Sequence, residues 1–93
     1  MQLDDATIQA FVTKHPHWSY ATGALHSTRT FATFMAAVAA INAIAHEAEA
    51  ADHHPDMCIS YTELVITLTS HDQGGVTERD LALATRIDTV AAS

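Results

Sequence analysis

Three histidines and two carboxylates are the residues of this chain whose types and spacing could do chemistry. Glu49 and Asp52 precede the pair His53-His54, and His71 follows a segment that is patterned like a strand. An imidazole has an ordinary pKa of about 6.5, so histidine can both donate and accept a proton near neutral pH. This arrangement therefore predicts acid–base chemistry.

A metal site is the alternative use of the same residues. If His53 and His54 lie in an extended segment, their side chains point to opposite sides, which makes the pair a poor chelator of one ion. A tetrahedral zinc site would need further Cys or His ligands at short regular spacings. Cys58 is the single cysteine and lies between apolar residues. We therefore predict no metal at this cluster, and keep a histidine-rich metal-binding module as the weaker alternative. The remaining histidines are interpreted as surface or turn residues: His15, His17, His26 and His46.

The chain length of 93 residues predicts a single domain over residues 1–93. A domain of this size buries only about 60–65% of the surface that its unfolded chain exposes, and alanine accounts for 18 of its residues. Ten of these alanines lie between Ala32 and Ala51, where small side chains would allow close approach of a sheet or of a second subunit. We therefore expect burial against a partner subunit, in a homodimer or homotetramer.

Charge and cysteine content restrict the class of protein. Four basic residues oppose eleven acidic residues, and the net charge of −7 repels a phosphate backbone, which excludes direct nucleic-acid binding. A single cysteine cannot form an intrachain disulfide, which fits a reducing compartment. The sequence contains no apolar run long enough to span a membrane and no secretory signal pattern. We therefore expect a cytoplasmic protein without membrane contact.

Hydrophobic periodicity and turn residues predict the elements that must position the histidines. The expected elements are a helix over 5–14 capped by Asp4 or Asp5, two short strands between Trp18 and Phe31 broken at Gly23, a helix over 33–51, strands over 57–61 and 64–69, and a last helix that begins at Thr77. The predicted order is α-β-β-α-β-β-α. It indicates an α+β fold in which three helices pack on one face of a four-stranded antiparallel sheet.

Several side chains carry local predictions. In the long helix, an apolar stripe is expected along Phe34, Val38, Ile41, Ala45 and Ala48, extended by Met35 and Ile44. Thr77 and Asp80 have the spacing of a capping box, with Asp80 in the place of the usual glutamate. Tyr61 is expected to pack in the core with its hydroxyl at the rim. Arg29 falls on an inner strand face, where a charge is costly, so we expect a local shift of the strand or a position facing solvent or a subunit boundary.

The same residues occur in the order and at the separations of a known signature. The segments Glu49–Pro55, Thr69–Asp72 and Gly74–Asp80, together with Tyr61, resemble the signature of the pterin-4a-carbinolamine dehydratase family. The similarity extends from Trp18 to Asp88 and so covers most of the chain. The sequence departs from the family pattern at His17, where a glycine is common, and at Arg29, where an aromatic or apolar residue is common.

The resemblance implies an enzyme that acts on a pterin without a cofactor. Its reaction would dehydrate 4a-hydroxytetrahydropterin, the product of aromatic amino-acid hydroxylases, to quinonoid dihydropterin in the recycling of tetrahydrobiopterin. His53 and His71 would form the acid–base pair and His54 would mainly position the pterin, so that all three histidines belong to the catalytic site. The resemblance also implies supporting or substrate-binding roles for Glu49, Asp52, Ser70, Asp80 and Trp18.

Each implied role has a structural alternative. Asp80 is explained equally well as a capping residue alone, Trp18 as a core residue, and His71 as a solvated residue at the end of a strand. The whole chain could also be a non-catalytic interaction protein on the same fold, such as a dimerisation cofactor or an assembly factor. That function would use the outer helix and the sheet edges and would involve a protein partner.

Overall fold

The computed structural model describes residues 1–91, which form three α-helices and one four-stranded antiparallel sheet. The elements in chain order are α1 (Asp5–Lys14), β1 (Ser19–Ala21), β2 (Ala24–Thr30), α2 (Phe34–Ala51), β3 (Asp56–Ser60), β4 (Glu63–Leu68) and α3 (Glu78–Val90), with a 3₁₀ turn at His71–Gln73 before α3. This order confirms the predicted α-β-β-α-β-β-α fold. None of the helices within residues 1–91 has the length and apolarity that a membrane span requires.

The sheet combines two hairpins through their second strands. Its strand order is β1-β2-β4-β3, so the central pair, β2 and β4, comes from distant parts of the chain. Leu25 pairs with Leu68 and Arg29 pairs with Leu64 across this central junction. The pairing brings the end of β4, which leads into His71, close to the start of β2.

Both hairpins turn through residues with positive φ. Thr22 and Gly23 have φ values of 50° and 75°, which is the backbone that a two-residue hairpin loop requires at both positions. Tyr61 begins the second turn with φ of 52°. It is 75% exposed, so the expectation that it packs in the core is wrong. The turn takes Tyr61 out of the alternating strand pattern, and its side chain no longer follows the inner face.

One face of the sheet carries the core. Leu64, Ile66 and Leu68 of β4 are fully buried, while the residues between them point to the other face. All three helices contribute side chains to the same cluster, among them Ile8, Ile44, Leu83 and Ile87. The helices therefore pack on a single face, as the sequence predicts.

Helix α2 is rotated relative to the stripe expected from its larger apolar residues. Its buried residues are Ala37, Ala40, Ile44 and Ala48, while Phe34 is 46% and Met35 70% exposed. Alanine fills little volume between packed elements, so the alanine-rich face lets the α2 backbone approach α3 closely. Because alanine occurs on every side of this helix, the apolar pattern did not identify the buried face.

Arg29 lies on the inner face of β2 and is buried, without a shift of the strand register. Its guanidinium donates to Asp88 Oδ1 at 2.5 Å, to Ser27 Oγ at 2.7 Å and to the Ala91 carbonyl at 3.4 Å. The charge also lies 5.6 Å from the centroid of the Trp18 ring. The expected exposed or shifted position is therefore wrong, because an ion pair with α3 compensates the buried charge.

Replacing Arg29 with methionine should destabilise the fold by about 3 kcal/mol, since it leaves the Asp88 carboxylate partly buried without its charged partner. The matched control is Arg86→Met, which removes an arginine from an exposed ion pair with Glu47 and should cost less than about 1 kcal/mol. Urea unfolding of both variants measures the difference. Equal stabilities would show that the Arg29 pair does not hold β2 to α3.

Candidate active site

The end of α2 directs His53 inward. Asp52 terminates the helix in the left-handed conformation, with φ of 49°, and the His53 amide donates to the Ala48 carbonyl at 3.1 Å. Pro55 prevents a return to helix. After this sharp change of direction the His53 side chain is buried, with 9% of the residue exposed.

His53 meets a buried carboxylate at the start of α3. Its Nε2 atom lies 2.5 Å from Asp80 Oδ1. Asp80 Oδ2 also accepts from the Thr77 amide at 2.8 Å and from Ser70 Oγ at 2.9 Å. The Thr77–Asp80 capping box is therefore confirmed, and Asp80 combines the capping role with a contact to an imidazole.

This contact determines which atom of His53 is available for reaction. A carboxylate at Nε2 fixes the proton of a neutral imidazole on that nitrogen, so Nδ1 is the nitrogen left to exchange a proton with a bound molecule. Asp80 is fully buried, and its contacts come from the start of α3, the end of β4 and the end of α2. The orientation of His53 is therefore fixed by three separate segments.

His54 points the opposite way from His53. Its Nε2 atom contacts Glu49 Oε2, and both side chains are largely exposed. Asp52, between Glu49 and the histidines, is also exposed and acts in the structure as the left-handed cap of α2. Glu49 therefore contacts the imidazole of His54.

His71 is exposed at the first position of the 3₁₀ turn, directly after the buried Ser70. Since Ser70 donates to Asp80, the backbone that carries His71 is tied to the same carboxylate as His53. Asp72 follows and pairs with Arg79 of α3 at 2.6 Å. The hydrogen bond from Arg79 holds the pKa of the Asp72 carboxyl below its usual range.

A cavity of about 330 Å³ lies between the end of α2 and the start of α3. Its wall combines apolar and charged residues, namely Glu47, Ala50, Ala51, His53, Arg79, Ala82, Leu83 and Arg86. Of the three histidines proposed for the site, His53 contacts this cavity, while His54 and His71 lie on the exposed surface.

Trp18 is not brought to the histidines. It is buried, and its indole N–H donates to Asp88 Oδ1 at 2.9 Å. Asp88 lies eight positions after Asp80 on α3, which corresponds to about 12 Å along the helix axis. Trp18 therefore belongs to the core cluster around Arg29.

Arg79 is the residue at this site for which the sequence alone suggested no role. It contacts Asp72, lines the cavity beside His53 and immediately precedes Asp80. The available signal was its place inside the segment Thr77–Asp80. Among residues 1–91, no three side chains of His, Cys, Asp or Glu are arranged to hold a metal ion.

Comparison with known proteins identifies the family of the chain. The family model described as pterin 4 alpha carbinolamine dehydratase matches residues 1–90. A protein of Thermomicrobium roseum provisionally named pterin-4-alpha-carbinolamine dehydratase is 43% identical over 90 residues, which cover 97% of each chain. A protein of Trichormus variabilis with the same provisional name is 41% identical over 88 residues, which cover 95% of each chain.

Two solved structures share the fold. The crystal structure of a transcriptional coactivator/pterin dehydratase from Brucella melitensis superposes with a TM-score of 0.94 at 26% identity and covers 99% of this chain and 100% of that one. A pterin dehydratase-like protein identified as a RuBisCO assembly factor in the alpha-carboxysome superposes with a TM-score of 0.66 at 26% identity, over 82% and 88% of the two chains. With a family match over residues 1–90 and relatives above 40% identity, the chain belongs to the pterin 4 alpha carbinolamine dehydratase family.

Proposed function

We propose that the chain is a hydro-lyase that converts 4a-hydroxytetrahydropterin to quinonoid dihydropterin and water by histidine acid–base catalysis. The observation that carries the proposal is the buried His53–Asp80 contact, with Nε2 to Oδ1 at 2.5 Å. A buried carboxylate that orients one imidazole is a common arrangement for moving a proton to or from a bound molecule. The family membership supports the choice of a pterin as the substrate.

The reaction needs only proton transfers. The C4a–O bond breaks and the hydroxyl leaves as water after it receives a proton, while N5 loses its proton and a C4a–N5 double bond forms. Nothing is oxidised or reduced, so an acid and a base are the only chemical groups required. Each positioned proton transfer typically contributes about 10²–10⁴-fold to the rate.

The roles follow from the placement of each side chain. His53 would exchange its proton through Nδ1, and Asp80 would stabilise the imidazolium that forms. His71 would be the second acid–base group, on the exposed turn next to Ser70. His54, which contacts Glu49, would hold the pterin together with the nearby Asp52. Ser70 would act indirectly, because its hydroxyl donates to Asp80 at 2.9 Å.

The biological setting of this proposal is the recycling of tetrahydrobiopterin. Hydroxylases that use a tetrahydropterin leave the 4a-hydroxy compound, which the proposed enzyme would consume. We place this activity in the cytoplasm, where the exposed thiol of Cys58 would stay reduced.

A protein-interaction role is the second candidate, and a different part of the molecule supports it. Phe34 and Met35 are exposed at the start of α2, while Asp52 and the histidines follow its other end. An 18-residue helix is about 27 Å long, so a contact at its start would leave the histidines free. The occupant that we propose for this apolar surface is a second copy of the chain, which would give a homodimer or homotetramer.

Replacing His53 or His71 with alanine should lower kcat by at least about 100-fold, since each substitution removes one positioned proton-transfer group. The measurement is the absorbance change of dehydration when protein is added to freshly generated 4a-carbinolamine. His71 is exposed, so His71→Ala should keep the fold, which circular dichroism can verify. His46→Ala, an exposed histidine on α2, is the control and should retain full activity. Rates in both variants equal to those of the unmodified protein would exclude the proposed histidine catalysis. An unmodified protein that does not accelerate dehydration would exclude the enzymatic function and favour the interaction role.

Dialysis against a strong chelator should leave the dehydration rate unchanged, because the proposed proton transfers use imidazoles alone. Elemental analysis of the dialysed protein supplies the control. A rate that falls with metal content and returns on adding one equivalent of a divalent ion would contradict the cofactor-free mechanism.

The purified chain should have a solution mass of roughly two or four times the 10.0 kDa of one copy if α2 contributes to self-association. Light scattering coupled to size-exclusion chromatography measures this mass. Met35→Lys should shift the assembly toward single chains, and Tyr61→Lys, which alters an exposed aromatic residue away from α2, is the control. A single-chain mass for the unmodified protein would contradict the expected oligomer.

A further inference from the structure

The position of the His71 imidazole depends on the turn that carries it. His71 is exposed, and it begins a 3₁₀ turn that ends at Gly74 in the left-handed conformation, with φ of 76°. The Gln73 amide donates to the Ser70 carbonyl at 2.9 Å, and the Gly74 amide donates to the His71 carbonyl at 3.2 Å. These are the short-range bonds of one isolated turn, which is a marginal structure by itself.

Both ends of this turn are anchored to the rest of the fold. At the first end, the buried hydroxyl of Ser70 donates to Asp80. At the second end, the Leu3 amide donates to the Val76 carbonyl at 2.9 Å, and the Gln2 side chain lies directly against Gly75. The middle of the turn, which includes His71, is exposed and needs a contact of its own.

Arg79 supplies a contact to the middle of the turn. Its Nη2 atom donates to Asp72 Oδ1 at 2.6 Å, and Asp72 directly follows His71. Arg79 lies in the first turn of α3, next to Asp80. Two consecutive residues of α3 therefore contact the two segments that carry the histidines. Asp80 contacts His53 itself, and Arg79 contacts Asp72, the neighbour of His71.

The Arg79–Asp72 pair is ionised across the pH range in which an imidazole can exchange a proton. The hydrogen bond from Arg79 lowers the pKa of the Asp72 carboxyl, and a guanidinium stays protonated throughout. The pair is also exposed, so its contribution to the free energy of unfolding is small. A side chain that matters little for stability can still matter for geometry, since a displacement of about 1 Å can change a rate by about 100-fold.

We propose that Arg79 is a positioning residue, which through its ion pair with Asp72 fixes the turn that presents His71 relative to the His53–Asp80 contact. This inference rests on the proposed dehydratase function. Arg79 acts through the turn and donates no proton in the reaction. Its loss removes no acid–base group but changes the distance between two of them.

The kinetic test compares Arg79→Met with the unmodified enzyme in the dehydration assay. We expect kcat to fall by about 10- to 100-fold with KM changed less than about twofold, because binding groups remain. Arg79→Lys restores a cation that can reach a single carboxylate oxygen and should recover most of kcat. Lys14→Met removes the same charge from α1 and should leave both constants unchanged.

A double-mutant cycle tests whether Asp72 carries the effect. Asp72→Asn should lower kcat as much as Arg79→Met does, and the double variant should be no slower than either single variant. Fully additive losses would overturn the inference. A higher KM with unchanged kcat in Arg79→Met would also overturn it, because it would mark Arg79 as a substrate contact from the cavity wall.

Amide hydrogen exchange separates this inference from the proposed function. In Arg79→Met the Gln73 and Gly74 amides should exchange several-fold faster, while the Thr77 amide bound to Asp80 should keep its protection. If the unmodified protein had no dehydratase activity, the proposed function would fail. Unchanged amide exchange at Gln73 and Gly74 in Arg79→Met would overturn the positioning role of Arg79, whether or not the protein is a dehydratase.

Discussion

A carboxylate buried without compensation is among the most costly groups in a protein interior, and Asp80 is fully buried. The structure compensates it with three donors: the imidazole that follows α2, the hydroxyl at the end of β4 and the amide that precedes α3. These segments come together only when the sheet and both helices are in place. The folded state of the domain and the orientation of His53 therefore depend on the same two oxygen atoms.

Helix α3 is held by polar contacts at both ends. Asp80 fixes its start, and Asp88 near its end accepts from Arg29 and Trp18. Between them, Leu83 and Ile87 pack in the core. Two carboxylates eight residues apart, one fully and one partly buried, fix the helix in both rotation and translation, which apolar packing alone would do less strictly. The short arginine contact at Asp72 can then transmit the position of the helix to the adjacent turn.

Local patterns predicted most of the elements, and contacts between distant residues account for most of what was missed. The element order, the ends of α1 and α2 and the Thr77–Asp80 capping box all follow from spacing within a few residues. The buried position of Arg29 did not, because its partner Asp88 is 59 residues away and the partner of Trp18 is the same carboxylate, 70 residues away. The rotation of α2 was not predicted for a different reason. Alanine occurs on every side of this helix, so the apolar pattern does not indicate which face is buried.

The sequence indicated which residues could form the candidate site but only part of their geometry. The histidines and Asp80 were identified from the sequence. The opposite directions of His53 and His54 also follow from their adjacent positions in an extended segment. The sequence offered no means to tell that Glu49 would contact His54, or that Trp18 would lie near the far end of α3. The Glu49–His54 contact depends on the left-handed backbone at Asp52 between them, and the place of Trp18 depends on a contact between residues 70 positions apart.

The contact between the first residues and Gly75 has a practical consequence for anyone producing this protein. A β-carbon at position 75 would lie 2.7 Å from the Gln2 Oε1 atom. Glycine, which has no β-carbon, therefore leaves room for the Gln2 side chain. An affinity tag or fusion partner attached ahead of Met1 would begin beside the same loop. A fusion that displaces Gln2 would disturb the loop that follows His71 while every residue of the candidate site remained unchanged.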